Sequence, residues 1–91
     1  MQQAPQQHPT PPEPIVLYRV DPSKNMQRFY RLSLDRDLFG YWLLVNEWGR
    51  IGRRGQMRLR AFDSKAAADN ALDKLSDKKL KRGYERALVS V

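Results

Sequence analysis

Apolar residues recur along this chain with a period of two up to Phe62 and close to 3.6 afterwards, so strands are expected first and a helix last. Ile15-Val16-Leu17-Tyr18-Arg19-Val20 is β-branched and aromatic and reads as the first strand. Asp21-Pro22-Ser23-Lys24-Asn25 closes it with turn chemistry, because Pro presets φ and the short polar side chains bond the local backbone. Met26 to Leu34 alternates in its second half, with Tyr30, Leu32 and Leu34 on one face and Phe29, Arg31 and Ser33 on the other. Asp35-Arg36-Asp37-Leu38 is the next turn. Phe39 to Trp48 is the most apolar segment and should be the central strand. Trp42, Leu44, Asn46 and Trp48 share one parity, and Tyr41, Leu43, Val45 and Glu47 share the other. Both sets are apolar as far as Asn46. Both faces are therefore expected to be covered, one by the helix and one by loops or the sheet's own curl.

A glycine-rich connection, Trp48-Gly49-Arg50-Ile51-Gly52-Arg53-Arg54-Gly55-Gln56, leads into Gln56 to Phe62. There Met57, Leu59 and Ala61 oppose Arg58 and Arg60, which predicts a basic stripe facing solvent. Asp63 or Ser64 suits a helix N-cap. Ala68, Ala71, Leu72 and Leu75 recur at i, i+3, i+4 and i+7, and Lys79 continues that face. Gly83 fits the position after the helix, and Lys78, Lys79, Lys81 and Arg82 fill its last turn, where cations complement the helix dipole. Ala87 to Val91 reads as a short last strand or an apolar tail. The expected fold class is α+β: a twisted antiparallel sheet of four to five strands with one α-helix on one face.

Composition sharpens the boundaries. Met1 to Pro14 holds four Gln and five Pro and no Lys or Arg, so residues 1–14 are expected to be a disordered tail and 15–91 the folding unit. So small a unit leaves little room for a deep catalytic cleft beside its core. Without cysteine there is no disulfide framework and no cysteine zinc site. No secretory signal pattern or membrane-spanning run is present, and a monomer in the cytoplasm, with association to the nucleoid as a variant, is expected. The formal net charge is +7, and leaving out the tail, with Glu13 as its one acid, raises it to +8 on the folding unit. Such a balance points to an anionic partner, nucleic acid first, or serves only solubility.

Catalysis finds no support. The one histidine, His8, lies in the tail, and no nucleophile, base and acid set can be assembled elsewhere. Asp35 and Asp37 lack the further oxygen ligands a hard cation needs, so a solvated turn explains them and neither metal nor cofactor is expected. Gly49, Gly52 and Gly55 form G-x-x-G-x-x-G, which is neither the dinucleotide fingerprint nor a P-loop and suits a hairpin connection. Arg50, Arg53, Arg54, Arg58 and Arg60 place five guanidiniums within eleven residues without an acid. Arg is favoured where a planar fork meets phosphate oxygens. Lys78, Lys79, Lys81 and Arg82 form a second group that a helix laid across the sheet would bring to the same edge. Trp48 ends an apolar strand beside a glycine turn, where its indole either packs half-buried or stacks on a sugar or base.

These residues also carry a resemblance. Trp48-Gly49-Arg50-Ile51-Gly52, with Phe29-Tyr30-Arg31-Leu32, Phe39-Gly40-Tyr41-Trp42, Phe62-Asp63-Ser64 and Lys79-x-x-Arg82-Gly83-Tyr84, resembles the WGR domain over about residues 15 to 86. The ending is similar to that of stand-alone bacterial versions. In DNA-dependent poly(ADP-ribose) polymerases this domain binds DNA breaks, so the resemblance implies a stacking role for Trp48 and a contact or coupling role for Arg50. The polymerase activity does not carry over. The expectation is a non-enzymatic nucleic-acid-binding module, for DNA above RNA, with strand ends as a preferred ligand. Its contacts would be Trp48, Arg50, Arg53, Arg54, Arg58, Arg60, Lys78, Lys79, Lys81 and Arg82. The rival expectation is a protein-interaction module that docks an acidic partner through the same basic face.

Overall fold

The computed structural model describes residues 13–87, so the expectations for a tail at 1–14 and a last strand at 87–91 fall almost wholly outside the described residues. Four strands follow one another as a meander: β1 (Ile15–Asp21), β2 (Met26–Arg36), β3 (Trp42–Arg50) and β4 (Gln56–Phe62). The helix α1 (Lys65–Lys81) comes next, and a two-residue strand β5 (Glu85–Arg86) is the last element among the described residues. The sheet is antiparallel with the order β4-β3-β2-β1-β5. This is the expected α+β arrangement. Among the described residues the last pairing is that of Glu85–Arg86, and the Ala87 amide donates to the Val16 carbonyl at 2.8 Å.

Directly paired residues share a face, so the register defines the core. Leu17, Tyr30, Leu32, Leu34, Trp42 and Leu44 are buried on the helix side, against Ala68 and Leu72 of α1 and Tyr84 beyond it. The helix starts beside Trp42, with Lys65 Nζ 5.9 Å from that ring, and ends beside Tyr30. Ser64 is the N-cap, its Oγ accepting the Ala67 amide at 3.1 Å. At the other end Gly83 takes φ +94°, while its amide donates to the Leu80 carbonyl and that of Tyr84 to the Lys79 carbonyl, both at 3.1 Å. That double bond is a Schellman ending, and it turns Tyr84 back onto the sheet.

Three expectations need correction. β3 begins at Trp42, not Phe39, and runs on through Gly49 and Arg50, because the long β2 supplies ladder partners for both in Phe29 and Arg28. The turn proper is therefore Ile51 to Gly55. Second, among the described residues the face opposite the helix is only partly covered: Ser33 is buried and Leu43 and Val45 half-buried on the central strands, whereas on β4 Met57 is 60% and Leu59 57% exposed. Third, Leu44 pairs with Arg60 and Asn46 with Arg58, which puts both arginines on the helix side and Met57, Leu59 and Ala61 on the open side. The basic stripe does face solvent, but it flanks the helix. β4 is an edge strand whose central residues escape the helix, so alternation there marks no buried side.

Candidate nucleic-acid interface

The connection after Trp48 is shaped by close backbone approach. A Cβ on Gly55 would lie 2.3 Å from the Trp48 carbonyl oxygen and 2.8 Å from Cζ of Phe29. One on Gly49 would lie 2.9 Å from Cα of Gly55. The two glycines thus let the strands cross beneath the Phe29 ring. Only Gly52 is a conformational requirement, with φ +81° in open space. Ile51 is tied down by its amide donating to the Gln27 carbonyl at 2.9 Å.

Beyond the C-terminal end of the helix the sheet is open, and Trp48 stands in that opening. It is half-buried and packs against the core, yet it also walls two adjoining clefts. The larger, of about 350 Å³, lies towards β2, with Arg28, Tyr30, Arg50, Lys79 and Tyr84 among its walls. The smaller, of about 260 Å³, lies towards β4, between Asn46 and Arg58 on the sheet and Leu75, Lys78, Lys79 and Arg82 on the helix. Trp48, Tyr30 and Lys79 are common to both. The indole thus packs against the core with part of its surface and lines open clefts with the rest.

The cleft electrostatics favour an anion. Arg19 pairs with Arg28 across β1 and β2, and Arg28 pairs with Arg50 across β2 and β3. Three guanidiniums so stand in one row on the helix side, an arrangement in which like charges directly opposite destabilise each other. Among the described residues the salt bridges are Arg31–Glu47 at 3.0 Å and Lys65–Asp69 at 2.7 Å, and neither involves this row. Arg50 is steadied instead by the Asn25 carbonyl at 3.2 Å and its side-chain oxygen at 3.3 Å, from a residue in the left-handed conformation at φ 49°. Two bonds leave most of its five N–H donors available. Lys79 Nζ lies over the Tyr30 and Tyr84 rings, and burial, then the neighbouring charges of Arg82, Lys78 and Arg28, pushes its ammonium below the ordinary lysine range. Asn46 donates to the Tyr30 hydroxyl at 2.8 Å, while its own side-chain oxygen is buried without a partner among the described residues.

Of the residues singled out from the sequence, Trp48, Arg50, Arg58, Lys78, Lys79 and Arg82 come together around the two clefts. Arg53 and Arg54 ride on the exposed turn. Arg60 sits one pair further along β4, its guanidinium 5.2 Å from the Phe62 ring, and Lys81 is on the exposed side of the helix end. Sequence reasoning passed over Arg19, Arg28, Tyr30 and Tyr84. Arg19 and Arg28 are separated by a turn, and only the β1–β2 register reveals them as neighbours. Asp37, half of the rejected metal pair, is spent on its turn, accepting the Phe39 and Tyr41 amides at 2.9 and 2.8 Å.

The model of the WGR domain matches residues 13–90. An uncharacterized protein of Sinorhizobium fredii, y4dW, is 43% identical over 74 residues, which are 79% of this chain and 36% of that protein. A crystal structure of a Bacteroides fragilis protein superposes with a TM-score of 0.67 at 28% identity, covering 84% of this chain and 20% of that one. The chain thus spans little more than a third of the first relative and a fifth of the second.

Proposed function

The chain belongs to the WGR domain family, and from that premise we propose that it is a non-catalytic module that binds DNA at strand ends. The family supports nucleic-acid binding as the general role. For the finer reading, the observation that carries most weight is the half-buried Trp48 standing between two clefts whose charged walls are all basic. An indole anchored on the core is rigid, so stacking a terminal sugar or base on it, worth about 1–3 kcal/mol, costs little ordering. Arg28, Arg50 and Lys79 on one side and Arg58, Lys78 and Arg82 on the other then receive the phosphates that follow the end. Arg19, Arg53, Arg54, Arg60 and Lys81 extend the positive field around that track. A duplex interior offers no free ring face to Trp48, which is the physical source of the preference for ends.

Titrating the chain with labelled blunt, nicked and covalently closed duplex and with single strands, over a series of salt concentrations, tests the proposal. Four or five phosphate contacts give a slope of log K against log[salt] of roughly −4. Trp48→Ala should weaken binding to blunt ends more than to closed duplex, whereas Arg53→Ala should weaken both alike. Equal losses on both substrates for the Trp48 change would remove the end-stacking reading.

A further inference from the structure

At the far end of the sheet from Trp48, the β2–β3 turn holds two large apolar side chains in water. Leu38 is 98% and Phe39 85% exposed. The turn beneath them is tightly bonded. Asp37 accepts the Phe39 and Tyr41 amides, its own amide donates to the Tyr41 carbonyl at 3.0 Å, and the Gly40 amide returns to the Asp37 carbonyl at 3.4 Å. Gly40 supplies the φ of +89° that closes the loop. Local hydrogen bonds thus fix the backbone while both apolar side chains stand in water. We infer that Leu38 and Phe39 form a preorganised prong by which the module docks a folded protein that presents an apolar pocket edged by Lys or Arg.

Charge selects that partner. The prong is flanked by Asp35 and Asp37, while Arg36 between them turns to the helix side with its guanidinium 5.1 Å from the Trp42 ring centre, and the prong continues onto the open side of the sheet through Tyr41, Leu43, Leu59 and Met57. The charged groups lining the cleft on that side are Asp35, Glu47, Glu13 and Arg31, of which Arg31 is paired with Glu47. This surface is net acidic on a strongly basic domain, the wrong sign for nucleic acid and for an anionic membrane, where flanking cations are the rule. A basic rim complements it. Size agrees as well: a Phe at an interface centre buries about 150–250 Å², short of the roughly 800 Å² per partner of a stable interface. The apolar strip along β3 and β4 makes up the difference. Eight residues of strand separate Arg28 from Arg36, about 26 Å, so a partner on the prong leaves the Trp48 clefts free. The two relatives described above carry this unit within chains about three and five times as long as the matched part, so such a unit does stand beside further protein.

The test places a photoreactive benzophenone amino acid at position 38 of the full chain, and at position 24 as a control, in the cells that make the protein. The expected result is a discrete, nuclease-resistant protein adduct from position 38 only. That protein, purified, should bind the chain with an affinity that falls with added salt. It should bind the Leu38→Ser, Phe39→Ser double variant at least tenfold more weakly, while the variant keeps its DNA affinity and melting midpoint. Absence of a discrete adduct from position 38, or equal affinity for the double variant, overturns the inference. So does co-sedimentation with phosphatidylglycerol vesicles that the double variant loses, which would make the prong a membrane anchor.

Discussion

Lys79 Nζ lies 4.7 Å from the ring centre of Tyr30 and 5.3 Å from that of Tyr84, so one cation is held over two aromatic faces set edge to face at 65°. Tyr30 belongs to the middle of the sheet and Tyr84 follows the helix ending, so Lys79 links helix, sheet and both clefts. Attraction to the ring faces partly offsets the desolvation that pushes its ammonium below the ordinary range.

Binding should therefore depend on pH through this lysine. A bound phosphate favours the charged form, so affinity is full while Lys79 is protonated and falls as pH rises through its depressed pKa, below the ordinary lysine value of 10.5. Wild-type affinity for blunt duplex should decline as pH rises towards the ordinary lysine value, before a solvent-exposed lysine would lose its charge, while Lys79→Arg holds its affinity there. Anisotropy titrations at constant ionic strength measure this, and superimposable profiles would exclude Lys79 from the contact. Stability moves the other way for this group: the cost of burying its charge is present at low pH and relieved as pH rises through the folded value. Tyr30 opposes that gain. Burial raises its phenol above the ordinary 10.0, so its contribution is present below that pH and lost above it.

Gly55 and Gly52 should respond differently to alanine. Gly55→Ala drives a Cβ to 2.3 Å from the Trp48 carbonyl oxygen and 2.8 Å from the Phe29 ring, and rigid backbone cannot yield. A loss of roughly 3 kcal/mol is expected, at the severe end for a single substitution. Gly52→Ala meets no atom within 4 Å and pays only for its left-handed backbone, about 1 kcal/mol. Urea denaturation of the two variants checks the order.

Much of this fold is legible in alternation alone. Tyr30, Leu32 and Leu34 on one strand and Trp42 and Leu44 on another form the buried face that their parity predicts, since central strands bury one side against the helix. Parity misleads where packing ends. Met57 and Leu59 alternate as inward residues do, yet they lie on the side of the edge strand that faces away from the helix and stay in water. Phe39 looks like strand because it is aromatic, whereas Asp37 and Gly40 bend the chain there. The site divides the same way. Trp48, Arg50 and the helix-end cations announce themselves by composition, but the Arg19–Arg28–Arg50 row exists only through register, and Tyr84 enters only through the Schellman turn.

Gly83→Ala should couple stability to binding. Its φ of +94° is a conformation that L side chains adopt with strain, and an added Cβ would press to 3.4 Å from Nε of Arg19. About 1–2 kcal/mol of stability should be lost. Relaxing the turn also displaces Tyr84, whose amide bonds the Lys79 carbonyl, so DNA affinity should fall although Gly83 carries no side chain to bind with. Unchanged affinity in a destabilised variant would show that the Schellman turn and the clefts are independent.

Neighbouring residues on β4 offer the sharpest test of which side of the sheet meets DNA. Arg58 pairs with Asn46 on the helix side and lines the cleft with Lys78 and Arg82, whereas Met57 pairs with Glu47 on the open side. Both are exposed edge positions, so substituting either leaves the core intact. Arg58→Gln keeps a polar side chain but removes one charge, and should reduce the magnitude of the salt slope by about 1 and weaken binding to all sequences alike. Met57→Ser should change neither slope nor affinity. The opposite pattern, a Met57 effect with an unaltered slope for Arg58→Gln, would place the nucleic acid on the open side and move the protein-docking surface away from it.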